Sequence, residues 1–364
     1  MGVIKSIIVT VILAYVVRHL YFTFVKMGVG VKYLNHRPGP CRAVPGISCG
    51  SEQIASTKDG LAFITSGYKD LTICDEATLT GRIYKFDYNN PGENVTELKI
   101  VSDTLNLKDF APHGMDILEK EEGMIKLYVV SHILDEESVE VFLYDRSEPS
   151  ILRHHDTLKD ATFANLNDLT LVAEDEFYAT NMLAYRQISK LFYTIEPLFE
   201  MRTGNVVHYK KGSGGKVVVD KLQMANGITS NPDKSLIFVM EVLAKIMTVY
   251  ARNTVDNSLS KVASHDTVFG LDNIFYDPQS HIILGAGTKH GYKLIFKKEE
   301  RASSFVAKIA SKDDKFKDIE LTEVFHDDGQ MVFGASSAHL YQKKMLVGTV
   351  YGNLAFCEVK SSDL

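Results

Sequence analysis

The chain has 364 residues, 45% apolar and 24% charged, with 40 Lys and Arg against 46 Asp and Glu and a formal net charge of −6. Such a composition supplies a large apolar core and excludes a disordered chain. No block of five or more like charges occurs, so neither a basic arm nor an acidic tail is present and nucleic acid is not an expected partner.

The amino terminus, MGVIKSIIVTVILAYVVRHLYFTFVKMGVG, sets Lys5 before an apolar run from Ile7 to Val17, the pattern of a targeting segment. No small-x-small cleavage site follows. With Arg18 and His19 reaching toward an interface, the apolar stretch continues through Val25, close to the ~20 residues that a bilayer span needs. Residues 1–30 are therefore expected to form an uncleaved signal anchor, and 31–364 the folded domain. MGVIKS also fits the myristoylation pattern, but the apolar run is captured for insertion first. Arg18, Lys26, Lys32 and Arg37 outnumber the single lysine before the run, which by the positive-inside rule favours a cytoplasmic domain.

Two features weigh the other way. Asn94-Val95-Thr96, the one glycosylation sequon, lies in a polar stretch suited to a surface turn. The cysteines, at 41, 49, 74 and 357, have no C-x-x-C and no zinc spacing. Cys41 and Cys357 lie at the two ends of the folded portion, where a bridge closes nearly the whole domain; four reduced thiols is the alternative. Together these place the domain on the lumenal or extracellular side, in the endoplasmic reticulum or at the cell surface.

From about residue 40 the chain is a succession of short β-rich runs: GLAFITSG, RIYKFDY, IKLYVVSH, VEVFLYD, EFYATN, NVVHYKKG, SLIFVME, IMTVYARN, HIILGAG, YKLIFKK, KMLVGTV and NLAFCEV. Helical patterns are expected only around 182–201, as a lid or membrane-facing patch or an ordinary packing helix, and at 301–314. NGITSNPDKSLIFVME and DNIFYDPQSHIILGAG align as a polar pair, Ile, Asn/Asp-Pro, a turn and an apolar strand, with starts at 226 and 272. NDLTLVAEDEFYATN, PHGMDILEKEEGMIKLYVVSH and SEQIASTKDGLAFITSG share the shape. Units of about 50 residues with several strands each indicate propeller blades, about six in this length. The expected fold is all-β: a six-bladed β-propeller with a central calcium site, an amino-terminal anchor helix and a few added helices.

In such a fold the polar pairs recur where each innermost strand begins, so Glu52, Asn167, Asn226, Asp272 and Asn273 are expected to meet on the axis. Five hard oxygens with two negative charges suit Ca²⁺; Mg²⁺ demands a tighter octahedron and zinc prefers N or S donors. His113 in APHGMD and His132 at the end of IKLYVVSH are candidates for a general base and the neighbour that holds its tautomer, acting on an ester. No G-x-S-x-G elbow and no phosphate-cradling glycine loop occurs.

These residues resemble the paraoxonases over about residues 40 to 358. The likeness is carried by GSE (50–52), GLAFITSG, PHG (112–114), NLND (165–168), FYATN, ANGI (225–228) with the following E-x-L-A (241–244), LDNI (271–274) and LVGTVY with the strand cysteine. The resemblance implies a six-bladed, calcium-dependent hydrolase of lactones and aryl esters. It implies Glu52, Asn167, Asn226, Asp272 and Asn273 as ligands of the catalytic calcium, and His113 with His132 as the dyad. Cys41 with Cys357 matches the closing disulfide. Asp168, together with the backbone carbonyl of Met115, matches the second, structural calcium site. An uncleaved hydrophobic amino terminus is also a trait of that family.

The departures are specific. Gln53 stands where the family usually has an aspartate, which weakens the second site; Met182 and Leu183 stand for Asp-His, Gly287 for a histidine and Ala286 for a cysteine. Two functions follow as expectations. One is a membrane-anchored lactonase or arylesterase acting on a small ester or lactone. The alternative is a non-catalytic relative acting as chaperone or accessory subunit in the folding or assembly of membrane proteins such as ion channels.

Overall fold

Runs of apolar residues bounded by turns pair with their sequence neighbours, and in the computed structural model they form six sheets whose first strands pack side by side in a closed ring. The structure describes residues 2–47, 49–68, 74, 80–133, 136–184, 195–297 and 300–360. The innermost strands of blades 1 to 6 are Ile54–Ser56, Pro112–Glu119, Leu166–Ala173, Ala225–Ser230, Leu271–Asp277 and Ala335–Tyr341. The fold is the expected six-bladed propeller.

Burial follows position in the blade. The second strand of blade 4, Leu236–Glu241 (LIFVME), is buried along its whole length, while its outermost strand, Leu259–Asp266 (LSKVASHD), is half-buried or exposed throughout. A strand covered on both faces reads as a continuous apolar run, and one on the rim alternates or turns polar. Core clusters fill the interfaces between neighbouring blades: Phe238 and Met247 of blade 4 pack with Tyr276 and Ile309 of blade 5, and Val44 and Phe356 of blade 6 with Ile64 and Phe86 of blade 1.

The ring is closed by the beginning of the chain. Cys41–Val44 adds to the outer edge of blade 6 beside Leu354–Glu358, with Cys41 opposite Cys357 in the register. Those two cysteines form a disulfide across 316 residues of sequence, and Cys49 pairs with Cys74. Blade 2 has a fifth strand, Lys99–Val101, lying parallel to Ile151–Leu158.

Helix α1, Gly2–Lys26, is long and apolar enough to cross a membrane, and its apolar side chains are exposed. At ~1.5 Å per residue its 25 residues span about 37 Å, more than a hydrocarbon core. Its carboxy-terminal end docks on the propeller. His19 Nε2 lies 3.0 Å from the Leu198 carbonyl, Lys26 pairs with Glu200 at 2.6 Å, and the Phe24 ring lies 5.4 Å from that of Phe296.

Two expectations need correction. Residues 301–314 are not helical: Ser304–Ser311 is a strand of blade 5, because SFVAKIAS meets partners on both sides and buries its apolar positions. The helix in this region is α2, Gly291–Phe296, formed by part of the run YKLIFKK that reads as a strand. Ser304–Ser311 holds the blade position next to Ile282–Gly287, so YKLIF has no ladder partner and closes its own backbone hydrogen bonds. Of the helix expected at 182–201, residues 195–198 are helical and 185–194 lie outside the described residues.

Because the disulfide clamps the one blade built from both ends of the chain, its loss is expected to destabilise the whole ring. Replacing Cys41 and Cys357 together by alanine should lower the unfolding free energy by roughly 2–5 kcal/mol. Urea unfolding of the two proteins without reductant measures this, and an unchanged midpoint would mean that strand pairing alone holds the closure.

Candidate metal centre and histidine pair

The innermost strands of blades 2 to 5 carry the same irregularity at their start. The register shifts between Pro112 and Met115, Leu166 and Leu169, Ala225 and Ile228, and Leu271 and Ile274, two residues opposing one on the neighbouring strand each time. A β-bulge of this kind re-aims the side chains within it. The bulged residues are His113, Asn167 with Asp168, Asn226, and Asp272 with Asn273, so the recurring polar pair of the sequence is the bulge itself. Glycines let the bulges close on one another. A Cβ at Gly114 would lie 2.4 Å from the Asn167 carbonyl oxygen, and one at Gly227 2.6 Å from that of Asp272.

Glu52, Asn167, Asn226, Asp272 and His113 all border one cavity of about 330 Å³. Asn273 Nδ2 points at Glu52, 3.4 Å from its carbonyl and 3.5 Å from its Oε1. Glu52, Asn167, Asn226 and Asn273 are buried, yet Glu52 Oε2 and the Oδ1 atoms of the three asparagines have no hydrogen-bond partner. Asn165, on the same segment, also leaves its Oδ1 unpaired. An unpaired buried polar atom costs about 1–3 kcal/mol, so four around one point call for a missing positive partner. The Asp272 carboxyl has its pKa pushed well above the usual aspartate value by burial and then by the negative charge of Glu52, against a hydrogen bond from Asn226.

These orphaned atoms are all oxygens, and two of the five expected side chains bear negative charge, which fits a hard divalent cation. Among the described residues no group of three His, Cys, Asp or Glu side chains converges as a zinc site requires. Asn167 shows how the amides are aimed: its Nδ2 faces the Met182 sulfur at 3.8 Å, which turns Oδ1 the other way.

Asp168 and Gln53 form a different arrangement. The Gln53 Oε1 accepts from Ile54 N, so its Nε2 donates to Asp168 Oδ1 at 3.0 Å. Leu169 N donates to the same oxygen and Ile228 N to Oδ2. Both carboxylate oxygens thus have protein donors. Burial nevertheless pushes the Asp168 pKa up to about 7. Met115 pairs with Val129, its side chain in the core between blades 1 and 2.

The histidines lie together beside the oxygen cluster. His113 Nδ1 is 2.9 Å from His132 Nε2, and His113 Nε2 is 3.4 Å from Glu52 Oε1. The Tyr68 ring stacks on His113 at 4.2 Å with an interplanar angle of 17°. Burial holds His113 below the ordinary histidine pKa despite the opposing influence of Glu52, so the ring is neutral near pH 7. Glu137, in the acidic run DEES, reads in sequence as a solvated loop charge; in the structure it is buried with Oε2 2.7 Å from His132 Nδ1.

The cavity above this polar floor is walled by apolar side chains, among them Leu183, Leu198, Met224, Phe269 and Leu294. Lys26 and Met27 at the end of α1, together with Phe296 of α2, border the same cavity, which sets its apolar wall beside the carboxy-terminal end of α1.

A model of the Arylesterase family matches residues 35–359. Human serum paraoxonase/arylesterase 1 is 30% identical over 330 residues, and bovine serum paraoxonase/arylesterase 2 is 32% identical over 322; each alignment covers 88% of both chains. Among solved structures, a luciferin-regenerating enzyme superposes with a TM-score of 0.55 at 10% identity, covering 89% of this chain and 96% of its own. Regucalcin from Agrobacterium tumefaciens, described as a calcium-binding protein, gives 0.52 at 12% identity, covering 90% and 96%. At such identities these two structures speak to the fold alone.

Without a cation, Asp272 and Asp168 both have pKa values raised above the ~3.9 of an unfolded aspartate. Each of these two carboxyls keeps in the folded state a proton that it releases when unfolded, so its own contribution to stability falls as pH rises from about 4 through about 7. His326 and His339, lowered by burial to about 4 and about 3, contribute in the opposite direction up to about pH 6.5. Comparison with Asp168→Asn isolates the first effect: in chelator the melting temperature of the parent relative to that variant should fall across this range, and a difference that rises with pH would contradict the assigned environment.

Proposed function

From the premise that this chain belongs to the arylesterase family, we propose that it hydrolyses carboxylic esters and lactones, using one calcium ion held by Glu52, Asn167, Asn226, Asp272 and Asn273. The observation that carries this reading is the set of unpaired buried oxygens on the floor of an apolar cavity, next to a buried histidine pair. When bound, calcium supplies a Lewis acid that polarises the ester carbonyl and favours negative charge on its oxygen.

The protein's own groups do the rest. The apolar walls bind the hydrocarbon part of the substrate and exclude bulk water. His113, with Nε2 toward the cavity, takes the proton of the attacking water as its oxygen bonds to the carbonyl carbon. It returns that proton to the departing alkoxide, which in a lactone stays on the same molecule. His132 accepts the His113 Nδ1 proton in a hydrogen bond and keeps the ring aimed. The second, structural calcium is left out of the proposal, because donors from Gln53, Leu169 and Ile228 already meet Asp168.

The anchor and the compartment belong to the same proposal. Helix α1 spans the membrane, and the propeller lies on the lumenal or extracellular side. Two disulfides support that side, as does Asn94, which is exposed just before the strand Thr96–Glu97.

Purified full-length protein in detergent should hydrolyse phenyl acetate or a γ-lactone with added calcium and lose turnover in chelator. His113→Gln should lower kcat by about 10²–10⁴-fold, the contribution of a general base, while leaving calcium-dependent thermal stabilisation intact. Turnover that survives chelator, or that His113→Gln leaves untouched, rules out this mechanism. For topology, Asn94→Gln should abolish the glycosidase-sensitive mass shift of protein made in a eukaryotic host; absence of that shift in the parent protein argues for a cytoplasmic propeller.

A further inference from the structure

Four buried side chains stand in line from the cavity to the body of blade 2: Glu52, His113, His132 and Glu137. The separations are 3.4 Å from Glu52 Oε1 to His113 Nε2, 2.9 Å from His113 Nδ1 to His132 Nε2, and 2.7 Å from His132 Nδ1 to Glu137 Oε2. The backbone N–H of Leu166, just before the bulge that carries Asn167, donates to the same Glu137 oxygen at 3.2 Å. Glu137 is thereby tied both to the histidine pair and to the strand that supplies an oxygen of the metal centre. Nothing in the proposed reaction yet uses it.

The order of donors along this line follows from which groups can give a proton. An ionised carboxylate only accepts, and a neutral imidazole has one N–H and one lone pair. A carboxylate stands at each end of the line and each asks for a proton. Glu137 lies 2.7 Å from His132 Nδ1, while Glu52 lies 3.4 Å from His113 Nε2, beyond an ordinary hydrogen-bond length. Glu137 therefore decides, and the His132 proton is on Nδ1. That leaves a lone pair on His132 Nε2, which must accept from His113 Nδ1–H. His113 in turn has its lone pair on Nε2, the atom that faces the cavity. We infer that Glu137 is a positioning residue that fixes the tautomers of both histidines, so that His113 presents a proton-accepting Nε2 to the water that attacks the carbonyl. The tautomer assignment stands on geometry alone; its catalytic meaning rests on the hydrolase reading above.

His132 Nδ1 and Leu166 N–H meet the same Glu137 oxygen, so what that position must supply is an acceptor. An amide can set its carbonyl oxygen there, take both hydrogen bonds and keep the tautomers. An apolar side chain of similar size removes the acceptor that holds the His132 proton on Nδ1, and the order of donors along the line is then no longer fixed.

The test uses full-length protein in detergent with calcium, labelled with ¹⁵N-histidine. Two-bond ¹H–¹⁵N correlation spectra report which ring nitrogen is protonated, and the His113 signals are identified by their loss in His113→Gln. The unmodified protein should show His113 protonated at Nδ1 and bare at Nε2. Glu137→Leu should let the His113 proton spread to Nε2 and lower kcat by about 10³–10⁴-fold, the size of loss that a wrong tautomer causes in a histidine base, with KM little changed. Glu137→Gln, whose carbonyl oxygen can take both hydrogen bonds, should keep the original tautomer and much of the kcat.

A protonated Nε2 on His113 in the unmodified protein overturns the inference, and so does a Glu137→Leu variant with unchanged tautomer or unchanged kcat. If Glu137→Leu fails to fold, the spectra of the unmodified protein and Glu137→Gln decide. If the unmodified protein turns over no ester or lactone, the hydrolase reading falls, while the spectra still decide the tautomer.

Discussion

Four buried oxygens drawn from four blades, Glu52 Oε2 and the Oδ1 atoms of Asn167, Asn226 and Asn273, have no hydrogen-bond partner among the described residues, and the rest of the site is arranged around that unmet demand. Glu52 comes from the first blade, Asn167 from the third, Asn226 from the fourth and Asp272 with Asn273 from the fifth. Bringing them together opposes folding in two ways: the oxygens lose water, and the two acids repel. A divalent cation relieves both at once, because it supplies the opposite charge and the missing partner for every orphaned oxygen. An ion held this way also ties separate blades into one ring, so structure and chemistry draw on the same contact.

The contrast with Asp168 makes the same point from the other side. It sits one residue from Asn167 in the same bulge, yet its oxygens are met by the Gln53 amide and two backbone N–H groups. A neutral amide does there what a cation would do for the oxygens at the axis. Its electrostatic effect is weaker, which is why the carboxyl's pKa rises to about 7 while its hydrogen bonds are all made. Neighbouring residues in one motif are thus solved by different physics.

The histidine line and the cavity walls add direction to this charged floor. A base is useful only if its lone pair faces the substrate, and the buried pair achieves that through fixed donors and acceptors rather than through solvent. Leu183 and Phe269 keep the space above it apolar, and the end of α1 borders the same space. A substrate with a hydrocarbon body and a polar carbonyl matches both surfaces.

Much of this was legible in the residues. Strand runs, their spacing and the recurring polar pair were enough for six blades and for the polar residues at the starts of the innermost strands, because both depend on local pattern repeated at a regular interval. The helix misread at YKLIFKK and the strand misread at 301–314 came where pattern alone does not decide: a short apolar run becomes strand or helix according to whether a ladder edge is free. Glu137 was invisible for a related reason, since a carboxylate in an acidic run looks solvated until the pairing register of two successive strands sets it opposite His132. By itself the sequence determined the repeat and the chemistry available at each blade's start, because strand periodicity and side-chain type are properties of neighbours along the chain. Tertiary structure alone decided which oxygens stay unpaired, which acid finds an amide and which finds a histidine, because those outcomes depend on residues up to 221 positions apart meeting in a space closed to water.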